Sequence, residues 1–166
     1  MEYQKLYHQF PPQWDENSEI LILGSFPSVK SREEGFFYGH PRNRFWKVVS
    51  TVVECREPVT LEEKKEMLSN YHIALWDVIE SCEIKGSSDS SIRNVVPNDL
   101  SEILSKSKIK KIFVNGKTAE KLYNKYIYPK TQITATVLPS TSPANAAWTL
   151  EKLVETYKII NQELSK

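Results

Sequence analysis

Four polar residues, far apart in the chain, stand at or near the ends of apolar runs. Asn43 lies in HPRNRFW, Asp77 ends HIALWD, Asn115 closes KIFVN and Ser140 follows TATVLP. Three consecutive aromatics, Phe36, Phe37 and Tyr38, precede the first of them. Amides, a small hydroxyl, one carboxylate and an aromatic platform suit a flat, neutral, hydrogen-bonding ligand such as a nucleobase. Rings stack on its faces and amides read its edge. Other chemistries lack their residues. There is no GxGxxG and no Walker lysine for nucleotide phosphates, and no GxSxG nucleophile elbow. His8, His40 and His72 are scattered, and Cys55 and Cys82 stand in no CxxC, so the sequence predicts neither a metal nor a cofactor.

These residues need elements to position them. Glu19 to Leu23 reads as a short buried strand, followed by an unusually long loop, GSFPSVKSREEGFFYGHPRNRFW, from Gly24 to Trp46. Connections are typically about 4–6 residues, and one several times longer points to a site. Trp46, Val49 and Val53 recur at helical spacing behind Pro41 and Asn43, which puts Asn43 near a helix N-terminus. Thr60 and Glu63 have the form of a capping box opening a helix to about Asn70. Further strands are expected at His72–Val78, Ile109–Val114 and Gln132–Leu138, and helices at Pro97–Lys106 and Thr118–Tyr128. A closing helix starts at Ala146. Glu80 to Pro97 reads as a second long polar loop. Strands alternating with helices give an α/β class with a largely parallel sheet, whose strand-end loops share one edge. Asn43, Asp77, Asn115 and Ser140 are therefore expected on one rim.

The chain of 166 residues is read as one domain, 1–166, with residues 1–18 as an N-terminal strap. Its net charge of +1 excludes a strongly cationic field, so nucleic-acid affinity must come from local patches such as Arg42, Arg44 and Lys47, or Lys106, Lys108, Lys110 and Lys111. No apolar run reaches membrane-spanning length, and MEYQKLYHQFPPQW has no basic-then-apolar leader pattern. With lone thiols, this predicts a reducing, cytoplasmic setting.

The stretch GFFYGHPRNRFWKV closely resembles the motif of the mismatch-specific branch of the uracil-DNA glycosylase superfamily. GSFPS, LWDVIESC, GSSDSSI and LPSTSPAN are similar to the deoxyinosine (hypoxanthine) DNA glycosylase group of that superfamily. The resemblance runs from about Ile20 to Trp148. It implies a three-layer α/β/α sandwich with a central four-stranded, mainly parallel sheet. It also implies a glycosylase that flips a deaminated base, hypoxanthine first and uracil second, and leaves an abasic site; with no lysine placed as a Schiff-base nucleophile, the enzyme is expected to be monofunctional. A mismatch-directed uracil glycosylase and a non-catalytic nucleic-acid or nucleoside binder stand as alternatives. The implied partner is DNA carrying a deaminated base, met by a monomer in the cytoplasm at the nucleoid, with no membrane and no metal.

Carried over position by position, the resemblance assigns catalysis to Asn43. Base binding and stacking fall to Gly24, Ser25, Phe26, Phe37 and Tyr38, with Asp77 and Asn115 from the rim. DNA contacts fall to Pro27, Ser28, Pro139, Ser140, Thr141, Ser142 and Pro143. Two positions depart from the family pattern. Phe26 stands where other branches place a water-positioning Asp or Asn, and Leu138 stands where they place His or Asn. Plainer roles fit several residues: Asn43 suits a helix start, Phe37 suits a core, and Asp77 either reads a base donor or caps the following loop.

Overall fold

A computed structural model of the chain describes residues 2–86 and 88–165; Ser87, within GSSDSSI, lies outside the described residues. In chain order the elements begin with β1 (Gln4–Tyr7), β2 (Ile20–Gly24), α1 (Val29–Glu34), α2 (Phe45–Val52), α3 (Leu61–Asn70), β3 (Ile73–Asp77) and β4 (Ile79–Ile84). They continue with β5 (Arg93–Pro97), α4 (Ser101–Lys106), β6 (Lys111–Asn115), α5 (Lys117–Tyr126), α6 (Tyr128–Thr131), β7 (Ala135–Leu138) and α7 (Leu150–Tyr157). A 3-10 turn over Asp89–Ser91 precedes β5, and another over Lys158–Glu163 follows α7.

Every residue of β2 is buried, which a strand achieves only when both faces of its sheet are covered. The sheet order is β3-β2-β6-β7 and every pairing is parallel. Alternation sorts the side chains into two cores. Ile20, Ile22, Ile73, Leu75 and Phe113 pack toward α2, α3 and α7. Leu21, Leu23, Ala74, Ile112 and Val114 pack toward α4 and α5. Each fully buried side chain of this size contributes roughly 1.5–3 kcal/mol. The result is the three-layer α/β/α sandwich expected from the sequence, with a four-stranded sheet. The capping box is formed: Thr60 Oγ1 accepts the Glu63 N–H at 3.1 Å, and Glu63 Oε1 accepts the Thr60 N–H at 3.0 Å.

The span from Glu80 to Pro97, expected as a long polar loop, is instead built around two strands. Its two ends are β4 and β5, which pair antiparallel and join β1 in a second, three-stranded sheet of order β1-β4-β5. Only one face of this small sheet meets the core, so β5 carries no fully buried residue and its sequence looks like loop. The strap of residues 1–18 is correspondingly more than a lead-in. It contributes β1 to the small sheet, and Gln13 bridges Leu75 at the edge of β3 through bonds of 3.0 and 2.9 Å. The first loop is also partly helical. Ser28 caps α1 by accepting the Ser31 N–H, and Gly35 ends the helix at φ 72°. Several boundaries move inward: the fourth helix starts at Ser101, the last strand at Ala135 and the closing helix at Leu150.

Candidate functional site

The carboxyl ends of the parallel strands open into one cavity of about 850 Å³. Asn43, Asp77, Asn115 and Ser140 all line it, as do Gly24, Ser25, Phe26, Pro27, Ser28, Phe37, Tyr38, Pro139, Thr141 and Ser142. Pro143 is exposed and lies outside the lining.

Thr141 is the hub of the polar wall. It is fully buried, its hydroxyl donates to Asn43 Oδ1 at 2.8 Å, and its Oγ1 accepts from Asn115 Nδ2 at 3.1 Å. The Thr141 N–H donates to Asn115 Oδ1 at 3.1 Å. Asn43 Oδ1 also accepts the Phe45 N–H at 2.9 Å, at the start of α2. Both acceptor sites of that oxygen are therefore used, and the Asn43 amide has only its Nδ2 donors left for a ligand.

Arg44 holds the same loop from below. Its backbone N–H donates to Thr141 O at 3.1 Å, and its guanidinium donates to the carbonyls of Thr141, Ser142, Asn145 and Trp148. The surface patch expected from Arg42, Arg44 and Lys47 thus loses its central member to structure. Ser140 Oγ accepts the Ser142 N–H, Ser142 Oγ accepts the Ala144 N–H, and Asn145 Nδ2 donates to Ser140 O. The Ser140 and Ser142 hydroxyls shape the loop as acceptors, and each keeps a proton to donate outward.

The opposite wall holds the carboxylate. Asp77 Oδ2 accepts from or pairs with His8 Nε2 at 2.7 Å, with side chains 5% and 3% exposed. The Asp77 main-chain carbonyl accepts from Asn98 Nδ2 at 2.8 Å. Asp77 Oδ1 has no hydrogen bond from a described residue, and it is not sealed from the cavity. A Cβ on Gly24 would sit 2.5 Å from that oxygen and 3.3 Å from the Tyr38 hydroxyl, so only glycine fits this strand end. His8 was not legible as a site residue. It lies beside no motif, and the only signal was its place in a strap whose docking is decided by tertiary structure. Its ring is held by Phe10, Phe26 and Phe37 at centroid distances of 4.6, 6.2 and 6.1 Å.

Tyr38 stacks on Phe45 at 4.0 Å between centroids and 13° between planes, so one of its faces is already covered. Its backbone takes the left-handed region at φ 53°, and its hydroxyl is buried with no hydrogen bond of good geometry among the described residues. Burial, the Asp77 carboxylate and Tyr157 together hold the Tyr38 phenol well above the usual tyrosine range. Phe37 is 2% exposed and packs edge-on against Phe10 and Phe36, a core position behind the cavity. Phe26 is a half-buried wall, with the Arg32 guanidinium 5.8 Å from its ring. Leu138 is 1% exposed at the end of β7. Neither can position water or hold an anion. Among the described residues no group of three or more His, Cys, Asp or Glu is gathered to hold a metal ion. No helix among them is long and apolar enough to cross a membrane.

The chain is similar to known proteins over most of its length. The sequence model of the Uracil DNA glycosylase superfamily matches residues 11–165. A hypoxanthine DNA glycosylase of Methanosarcina acetivorans is 38% identical over 141 residues, 82% of this chain and 86% of the relative. One from Methanosarcina barkeri is 36% identical over 110 residues, 65% of this chain and 70% of the relative. The solution NMR structure of a candidate uracil DNA glycosylase from Methanosarcina acetivorans superposes with a TM-score of 0.76 at 32% identity. It covers 92% of this chain and 96% of its own.

Proposed function

Because this chain belongs to the uracil DNA glycosylase superfamily and is a DNA glycosylase, we propose that it excises deaminated bases, hypoxanthine first and uracil second, as a monofunctional enzyme. One observation carries the specificity: Asp77, fixed on one oxygen by His8, offers its other oxygen to the cavity as an acceptor. Deamination of adenine to hypoxanthine, or of cytosine to uracil, turns a ring-nitrogen acceptor into an N–H donor beside a carbonyl. A carboxylate oxygen accepts only, so set against that ring nitrogen it binds the N–H of the deaminated base and repels the lone pair of the normal one.

The base leaves the duplex and stacks on the open face of Tyr38. Ser28, Ser140 and Ser142 face the phosphates, and the loop from Pro139 to Pro143 occupies the gap. Asn43 donates through Nδ2 to the base as the N-glycosidic bond breaks. Because Asp77 opposes negative charge, the charge on the departing base falls to Asn43 and to backbone N–H groups of the first loop. Water then captures the cationic sugar and leaves an abasic site. With both acceptor sites of its Oδ1 occupied, Asn43 is a donor to the leaving group and not the residue that orients water. The enzyme acts as a monomer, in the cytoplasm with the chromosomal DNA.

The test is single-turnover base release from duplexes carrying deoxyinosine, deoxyuridine or deoxyxanthosine. Asn43→Ala and Asn43→Asp should both fall at least about a hundredfold, as expected when a charge-stabilising donor is lost. Asn43→Asp keeps the acceptor that holds Phe45 and Thr141. Near-normal release by that variant would instead make residue 43 a water-positioning group. Borohydride trapping of a covalent adduct on DNA would sink the monofunctional assignment.

A further inference from the structure

A second groove, of about 740 Å³, runs away from the cavity between α5 and the chain leading into β5. Asp89 and Thr118 line both, so the groove continues the cavity. Its α5 wall carries Lys121 and Lys125, and Lys117 lines the cavity itself. The three lysines stand at i, i+4 and i+8, one face of the helix, and advance about 6 Å per step, or about 12 Å in all. That is the axial length of roughly three to four nucleotides in a duplex strand.

None of the three lysines forms an ion pair among the described residues. Arg93, on the facing strand, is paired with Glu83 at 2.9 Å and lies 3.4 Å from the Tyr3 ring, so its charge is already engaged. Lys106 and Lys158 are likewise paired with Glu102 and Glu155. Tyr126 and Leu122 supply an apolar floor to the groove. Asp89, at the junction, is the one acid in the lining.

We infer that this groove carries the phosphodiester backbone of the DNA strand flanking the extruded nucleotide, with Lys117, Lys121 and Lys125 as its phosphate contacts. The inference rests on the DNA glycosylase reading of the adjoining cavity and extends it along α5, whose lysines no motif marks. A continuous backbone leaving the cavity meets unpaired ammonium groups along this groove. Net charge of +1 gives no general field to do the same work elsewhere.

The experiment measures binding to a labelled duplex with a tetrahydrofuran abasic site, which cannot be turned over, across a salt series. Lys121→Gln/Lys125→Gln is compared with wild type. Lys108→Gln/Lys110→Gln serves as control, because those exposed lysines lie at the opposite, amino-terminal edge of the sheet. The groove variant should bind roughly tenfold or more weakly at low salt, with a log-log salt slope shallower by about one unit per lysine. The control should match wild type. An unchanged slope in the groove variant overturns the assignment, whether or not the wild type releases base. Loss of slope in the control to the same degree also overturns it, since the effect would then be bulk charge. Base release by wild type is scored separately, so failure of the cavity reading is seen apart from failure of the groove.

Discussion

Thr141 reaches across 98 positions of sequence to donate its hydroxyl to Asn43 Oδ1 at 2.8 Å. This bond, with the one from Phe45, decides which end of the Asn43 amide faces the cavity. Thr141→Val keeps the shape, removes the donor and strips Asn115 Nδ2 of its acceptor. A buried group left unpaired costs about 1–3 kcal/mol. The variant should melt lower by that amount and release hypoxanthine roughly ten- to a hundredfold more slowly, whereas Thr141→Ser should recover most of both. Thermal unfolding beside single-turnover kinetics checks this, and a Thr141→Val enzyme of normal rate would show that the amide needs no such anchor.

The members of this wall were legible in sequence to different degrees. Asn115 and Ser140 follow strands in a parallel sheet, and such strand ends share an edge whatever lies between them. Asp77 was legible for the same reason, but its partner was not. His8 reaches Asp77 only because β1 pairs with β4 and carries the strap past the first loop. The β4–β5 hairpin was hidden because one face meets solvent, so polar residues interrupt both strands. Helix α1 is six residues long and has one buried residue, Ser31, so no apolar period betrays it; Ser28 and Gly35 were its only signals. Arg44 looked like surface charge because its partners are carbonyls, which no sequence pattern displays.

Asp77 should be the discriminator between deaminated and normal bases. Asp77→Asn can turn a donor toward the cavity, which a carboxylate cannot. The ratio of hypoxanthine release to adenine release should fall by at least about tenfold, the equivalent of roughly 1.4 kcal/mol. His8→Phe fills the ring space but leaves Asp77 Oδ2 without its partner, and should lower both stability and the ratio. In the pair of substitutions the losses should be less than additive, because both act through one carboxylate. A double-mutant cycle read on the base ratio checks this, and strict additivity would separate the two residues.

Alkaline pH should destabilise the protein more steeply than its exposed tyrosines require. Burial and the Asp77 carboxylate hold Tyr38 well above the ordinary range, and burial raises Tyr157 strongly as well. In the unfolded chain these phenols lose protons near pH ~10. The folded state keeps them, so the native state binds more protons and stability falls as pH rises. The stabilisation is complete below pH ~10 and is lost progressively above it, toward the raised folded values. Tyr157→Phe should flatten the decline while costing about 0.5–1.5 kcal/mol at neutral pH, from the lost bond to Pro139 O at 2.7 Å. Melting temperatures of wild type, Tyr38→Phe and Tyr157→Phe between pH 8 and 11 check it. Equal slopes in all three would place the loss elsewhere.

Arg44 should matter through the loop that it holds and not through DNA charge. Its guanidinium meets four carbonyls between Thr141 and Trp148, a fan that a lysine ammonium, with three donors on a flexible stem, cannot reproduce. Arg44→Lys keeps the charge. If charge were its role, the salt slope and the rate would survive. If the fan is its role, residues 141–148 lose their anchor, Thr141 no longer fixes Asn43, and base release drops roughly tenfold or more, as displaced catalytic groups do. Amide hydrogen exchange should quicken across 140–149 in Arg44→Lys while α3, in the layer behind, stays protected. A variant with wild-type exchange and wild-type rate would remove Arg44 from the positioning of the site.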